Sequence, residues 1–87
     1  MAHAVFIIPA AARQLEKLDA GARRRVRLAI DALAETPRPN GCKKLSATEN
    51  AYRIRVGDYR ALYEIEDRRL VVLVVRVAHR REAYRDR

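Results

Sequence analysis

Residues 51–65 read Ala51-Tyr-Arg-Ile-Arg-Val-Gly-Asp-Tyr-Arg-Ala-Leu-Tyr-Glu-Ile65, and this stretch decides the fold. Tyr52, Ile54 and Val56 alternate with Arg53 and Arg55, the period of two that belongs to a strand with one buried face. Gly57-Asp58 supplies a two-residue turn, and Tyr59, Ala61, Tyr63 and Ile65 alternate with Arg60, Leu62 and Glu64 on the returning strand. That loop length sets the register: Val56 faces Tyr59, Arg55 faces Arg60 and Ile54 faces Ala61. Arg53, Arg55 and Arg60 therefore share one face of the hairpin. Its other face is a run of tyrosine, isoleucine, valine and alanine side chains that needs a cover.

The cover lies upstream. Ala4-Val-Phe-Ile-Ile8 reads as a short strand of β-branched and aromatic residues, ended by Pro9, a residue suited to the first turn of a helix. Ala11, Ala12, Leu15 and Leu18 recur at helical spacing. Asp19 can cap a second helix, where Ala22, Val26, Ala29, Ile30 and Leu33 line one side and Thr36-Pro37 closes the pattern. Arg23, Arg24 and Arg25 lie on the opposite side and read as a solvated helix face. Downstream, after a tight turn near Asp67–Arg69, Leu70–Val77 is almost wholly apolar, like a strand covered on both faces. Thr36–Lys44, with two prolines and Asn40-Gly41, is the one linker-like stretch. The expectation is an α+β domain spanning residues 1–87. Its order is β-α-α-β-β-β, with a helical hairpin packed on one face of a small antiparallel sheet.

The 87 residues carry 19 Lys and Arg against 11 Asp and Glu, a net charge of +8, with 49% hydrophobic residues to build a core. So basic a small surface attracts polyanions and speeds their encounter, which puts nucleic acid first among partner classes, ahead of an acidic protein. Cys42 is the single cysteine, so no internal disulfide forms. With only His3 and His79 beside it, the chain lacks the ligands of a Cys/His zinc cage, and a reducing, cytoplasmic setting fits. The longest apolar run, Leu70–Val75, is far shorter than the roughly 20 residues of a membrane span. No membrane partner is expected.

Like charges directly opposite one another on a sheet cost up to about 1 kcal/mol. Arg55 against Arg60 is such a pair, so the cluster points either to an anionic ligand that the chain does not contain or to an acid such as Glu64 reaching across to neutralise it. Leu62, Leu73 and Val75 lie beside these arginines as an apolar strip, a candidate partner surface once the helices occupy the other face. The last strand runs into Ala78-His79-Arg80-Arg81-Glu82-Ala83-Tyr84. This tail adds an imidazole that can move a proton near neutrality, two guanidiniums, and a phenol that can stack on a base.

The segments Lys44-Leu45, 51–60, 62–65 and 74–84 together resemble the RelE branch of the RelE/ParE toxin superfamily, and the likeness covers nearly the whole chain. The Tyr-Arg-Ile-Arg-Val-Gly-Asp-Tyr-Arg hairpin and the His-Arg-Arg-Glu-x-Tyr tail are its specific parts. The resemblance implies a toxin of a type II toxin-antitoxin module: a ribosome-dependent, metal- and cofactor-free mRNA endonuclease that works through 2′-hydroxyl attack and blocks translation. It implies mRNA in the ribosomal decoding site as substrate, a cognate acidic RelB-like antitoxin, and operator DNA only through the toxin-antitoxin complex. By motif position Arg53, Arg55, Arg60, Arg80 and Tyr84 fall on the family's functional residues with His79 next to them, and Arg60, Arg80, Tyr84 and His79 are expected to serve catalysis. Arg53, Arg55, Lys44 and Arg81 fall to RNA phosphates, and Leu62, Leu73 and Val75 to the antitoxin. Some relatives carry Lys at the Arg53 and Arg55 positions, and because a guanidinium cannot release its proton near neutrality these two are poor general bases here. Two alternatives share the fold: a ParE-like gyrase poison, and a non-catalytic nucleic-acid-binding module.

Overall fold

The computed structural model describes residues 2–45 and 49–83, with the backbone alone for residues 82 and 83. Strand β1 (Ala4–Ile7) leads through an extended Ile8 into helix α1 (Pro9–Glu16), where Pro9 holds the first helical position. Helix α2 (Ala20–Ala32) is capped as expected: the Asp19 carboxylate accepts a hydrogen bond from the Ala22 amide at 2.8 Å. One arginine of the basic run has a structural task. The Arg23 guanidinium donates to the carbonyls of Glu16 and Leu18, at 3.3 and 3.2 Å, satisfying the exposed C-terminal end of α1 and tying the two helices together. The C-cap of α2 is Leu33, four residues ahead of Pro37, and a turn fills the gap.

Past the proline-rich loop come β2 (Lys43–Lys44), β3 (Ala51–Val56), β4 (Tyr59–Glu66), β5 (Val71–His79) and the short helix α3 (Arg80–Ala83). They form one five-stranded sheet in the order β1-β5-β4-β3-β2. Two expectations are corrected here. The sheet is mixed rather than antiparallel, because β1 pairs with β5 in parallel, Ala4 beside Val71 through Ile7 beside Val74. Parallel neighbours cannot be joined by a tight turn. The helical hairpin and three strands, β2, β3 and β4, each antiparallel to the next, intervene, and β5 arrives running in the direction of β1. Lys43–Lys44, read as loop, is a two-residue edge strand on β3.

The hairpin register is as read: Val56 pairs with Tyr59, Arg55 with Arg60, Ile54 with Ala61 and Arg53 with Leu62. Gly57 has φ +60°, the left-handed value a II′ turn requires at its first central residue. Between β4 and β5 the pairing is not regular. Leu62 pairs with Arg76 and Tyr63 with Val74, leaving Val75 as the extra residue of a β-bulge. Ahead of the bulge Val72 and Val74 point to the core; after it Val77 does so, and Arg76 turns to the other side.

The core lies between the helices and one sheet face. Ala11, Leu15, Val26, Ile30 and Leu33 pack against Ile54, Ala61, Tyr63, Ile65, Val72, Val74 and Val77. Tyr63 is fully buried, and its hydroxyl donates to the Pro37 carbonyl at 2.7 Å, fastening the proline loop to the sheet. Burial pushes its phenol far above the usual tyrosine range, so it serves as a permanent donor. At the loop's outer side Arg38 bonds Asp67 at 2.8 Å and the Tyr52 hydroxyl at 3.1 Å, while His3 reaches Asp67 at 3.3 Å. Beside the Arg38 guanidinium, and secondarily His3, the Asp67 carboxyl titrates below its ordinary value.

Candidate functional site

Strand pairing places the basic side chains in rows across the face that the helices leave open. One row runs Lys43, Arg53, Leu62, Arg76, with one residue from each of β2, β3, β4 and β5. The next row toward the Gly57 turn runs Arg55, Arg60, Ala78. Adjacent strands lie about 4.8 Å apart, and residues two apart along a strand about 7 Å apart. Long side chains from both rows therefore work over one small area. Arg53, Arg55 and Arg60 share this face, as the sequence indicates.

Their exposures differ. Arg55 is exposed and Arg53 half-buried, but Arg60 is only 5% exposed. A shared face thus does not mean shared exposure, and Arg60 is the sealed member. Its row neighbour Ala78 is also sealed, and α3 packs on β4 and β5 at this end of the sheet. One nitrogen of the Arg60 guanidinium donates to the Tyr59 carbonyl at 3.2 Å. The charge is thus held in a low-dielectric setting, where its field is felt more strongly than in water.

The tail is fixed to the same end. The Arg80 amide donates to the Asp58 carbonyl at 2.7 Å, pinning the start of α3 to the hairpin turn, and Arg80 and Arg81 are both exposed there. His79 takes a different side. Register sets it opposite Tyr59, on the core side of the layer, and the two rings meet edge to face at 5.5 Å and 84°. Its Nδ1 accepts from the Arg81 amide at 3.3 Å, which makes Nε2 the protonated nitrogen of the neutral ring. Gln14 of α1, with Lys17 and Leu18 just past its end, closes a cleft of about 380 Å³ around it. His79 and the arginines therefore share an end of the sheet but not a face. Lys44 is likewise separated: it pairs with Tyr52, and Lys43, not Lys44, stands in line with Arg53. Tyr84 lies outside the described residues.

At the other end of the open face the chemistry changes. Leu73 pairs with Phe6 of β1 and with Glu64 of β4, and Phe6 is 55% exposed. Leu62, Leu73 and Val75 are all half-buried, but Leu62 stands within the row of Arg53 and Arg76, whereas Leu73 lies beyond it beside Glu64. Among the described residues no group of three His, Cys, Asp or Glu side chains is placed to hold a metal ion, and no helix is long and apolar enough to cross a membrane.

Sequence reasoning missed two members of the basic rows. Lys43 gave no signal, because a two-residue strand has no periodicity. Arg76 did give one: two residues after the buried pair Val72 and Val74, strict alternation would bury a guanidinium under the helices. Only a change of parity avoids that outcome.

The sequence of residues 5–84 matches the family model described as ParE toxin of type II toxin-antitoxin system, parDE. No curated protein sequence matches the chain. Among solved structures, the archaeal RelE-RelB complex of Pyrococcus horikoshii OT3 is similar at 28% identity and a TM-score of 0.82, covering 92% of this chain and 97% of that one. The RelBE2 toxin-antitoxin complex of Mycobacterium tuberculosis is similar at 29% identity, TM-score 0.79, covering 91% and 99%. A mutant E. coli toxin RelE in the free state is similar at 26% identity, TM-score 0.80, covering 99% and 94%. The chain belongs to the RelE/ParE superfamily of type II toxin-antitoxin toxins, and by its fold it is a RelE-type toxin.

Proposed function

We propose that the chain is an mRNA endonuclease that acts on the ribosome and is silenced by an acidic, RelB-like antitoxin in the cytoplasm. The observation that carries this reading is the nearly buried Arg60 paired with the exposed Arg55, at the end of the sheet where α3 brings the exposed Arg80 and Arg81. A fixed guanidinium in a shielded position needs no reorganisation when negative charge develops in front of it, and this is the most effective form of electrostatic catalysis.

In the proposed reaction the 2′-oxygen of one nucleotide attacks the adjacent phosphorus. Its bond to phosphorus forms as the bond to the 5′-oxygen of the next nucleotide breaks, leaving a cyclic phosphate and a free 5′-hydroxyl. Arg60 and Arg80 hold the charge on the phosphorane, while Arg53, Arg55 and Arg81 hold neighbouring phosphates. A guanidinium accepts no proton, so proton transfer falls to His79 or Tyr84, and Tyr84 also stacks on a base. His79 reaches a substrate on the arginine face only around the end of the sheet, so His79→Ala should slow cleavage less than Arg60→Ala does.

The antitoxin fits the opposite end of the same face. The P. horikoshii and M. tuberculosis neighbours are each solved as complexes with an antitoxin. For this chain we assign the apolar contact to Leu62, Leu73 and Val75, with carboxylates of the partner reaching the arginine rows. The test is cleavage of mRNA by programmed ribosomes, with Arg60→Ala as the comparison. Loss of about a hundredfold or more in rate is expected for the variant, and cleavage within a few-fold of normal defeats the assignment.

The family match to the ParE toxin favours a second reading, a poison of DNA gyrase. Induction followed by primer extension separates the two. Cuts within codons support the nuclease, whereas intact messages with an SOS response support gyrase as the target.

A further inference from the structure

Resting on the nuclease reading, we propose that Lys43 and Arg76 extend the phosphate-binding surface into a track across the strands, along which a single RNA strand lies perpendicular to β3, β4 and β5. Lys43 lies outside the segments that carry the family resemblance, and Arg76 is not among the residues to which that resemblance gives a role. What assigns them is pairing. Lys43 stands opposite Arg53, Arg53 opposite Leu62, and Leu62 opposite Arg76, so a line drawn across four strands meets three cations and one apolar side chain. With strands about 4.8 Å apart the row is about 14 Å long at the backbone. A stacked strand of nucleic acid carries a phosphate about every 3.4 Å of its axis and a partly extended one fewer, so the row accommodates about three. Leu62, half-buried between Arg53 and Arg76, offers the apolar surface on which a sugar or base edge rests between neighbouring phosphates.

The bulge points to the same conclusion. Val75 is inserted between the pairs Leu62–Arg76 and Tyr63–Val74, and its effect is to bring Arg76 out of the helix-facing series onto the arginine face. A bulge gives up regular ladder bonding in order to re-aim a side chain. The fold also makes up part of that loss. The Val77 amide, on the length of β5 that β1 does not reach, donates to the Gln14 side-chain oxygen of α1 at 2.8 Å. The irregularity is braced from the helical layer and delivers one guanidinium to the row.

The measurement is ribosome-free binding of a short fluorescent oligouridine, followed by anisotropy over a range of salt concentrations. Lys43→Gln and Arg76→Gln should each weaken binding and each reduce the slope of log affinity against log salt by about 0.7, the change expected when one fewer phosphate is neutralised. Arg76→Lys should restore the slope, which guards against a folding defect in the glutamine variant. Arg24→Gln, on the solvated face of α2, should leave binding unchanged. Slopes for both glutamine variants equal to that of the unaltered protein would overturn the proposal. So would variants that lose affinity for polyglutamate but not for the oligonucleotide, which would make the row a protein-docking surface. A protein that shows the expected slopes but never cuts mRNA refutes the nuclease reading and leaves the track standing. A protein that cuts normally while both variants bind normally does the reverse.

Discussion

The two ends of the face that α1 and α2 leave open are built on the same strands, yet one is ionic and the other oily. Toward the Gly57 turn, Arg53, Arg55, Arg60 and Arg76 are gathered with Arg80 and Arg81 close by. Toward the β4–β5 turn, Phe6, Leu73 and Val75 lie with Glu64 and Glu66. A surface with one character throughout would bind one kind of ligand. The gradient here allows a polyanion and an amphipathic protein to compete for one layer, since a partner that grips the oily end can lay its acids over the arginines. The lesson is that strand register, by fixing which residues from distant parts of the chain become neighbours, also decides where one kind of ligand ends and another begins.

Mutations that act on one end alone test the contrast. The largest effect belongs to Arg60→Ala: about a hundredfold or more off the rate of ribosome-dependent cleavage, some 2.7 kcal/mol of transition-state stabilisation, read in a programmed-ribosome assay. Placing carboxylates at the other end, with Phe6→Glu and Leu73→Glu together, should weaken antitoxin binding tenfold or more by calorimetry, about 1.4 kcal/mol, and leave cleavage within a few-fold. If that pair abolished cleavage instead, the two ends would not be separable. A change beneath the layer should respect neither boundary. Tyr63→Phe deletes the bond to the Pro37 carbonyl, should cost about 1 kcal/mol in urea unfolding, and should change neither binding nor cutting by more than that loss explains.

The smallest effect tests the outer brace. Asp67 titrates low because the Arg38 guanidinium, and then His3, favour its charged form. A depressed folded value contributes stability at pH above the unfolded carboxylate range, and that contribution disappears as the pH falls through the folded value. The difference in urea midpoint between the unaltered protein and Asp67→Asn should be largest near neutrality, close from about pH 4 downward, and shrink in high salt because the pair is exposed.

Much of this architecture is legible in residues 51–65, where alternation and a two-residue turn dictate the pairing and put three arginines on one side. The helices are legible too, because Asp19 is a cap and Val26, Ile30 and Leu33 keep helical spacing. The parallel pairing of β1 is not, since a four-residue strand does not reveal which neighbour it will choose. The choice between Lys43 and Lys44 is hidden for a similar reason: adjacent lysines on a strand face opposite sides, and only the partner strand says which is which. Nor does composition disclose that Arg60 is sealed while Arg55 is open, because that depends on α3 and Ala78 arriving from the far end of the chain. Arg76 is the instructive miss, a charge within an apolar strand whose place could be inferred from what it could not do.

The parallel pairing of β1 with β5 has a consequence for the protein's own manufacture. Ala4 leaves the ribosome well before its sheet neighbour Val71. Contacts so distant along the chain form late and slowly. A nascent copy therefore has no finished sheet, and no assembled cation rows, for most of its translation. On the proposed nuclease reading, the ribosome building the chain is spared a competent enzyme until β5 has emerged, an interval in which a waiting antitoxin can dock as the layer closes.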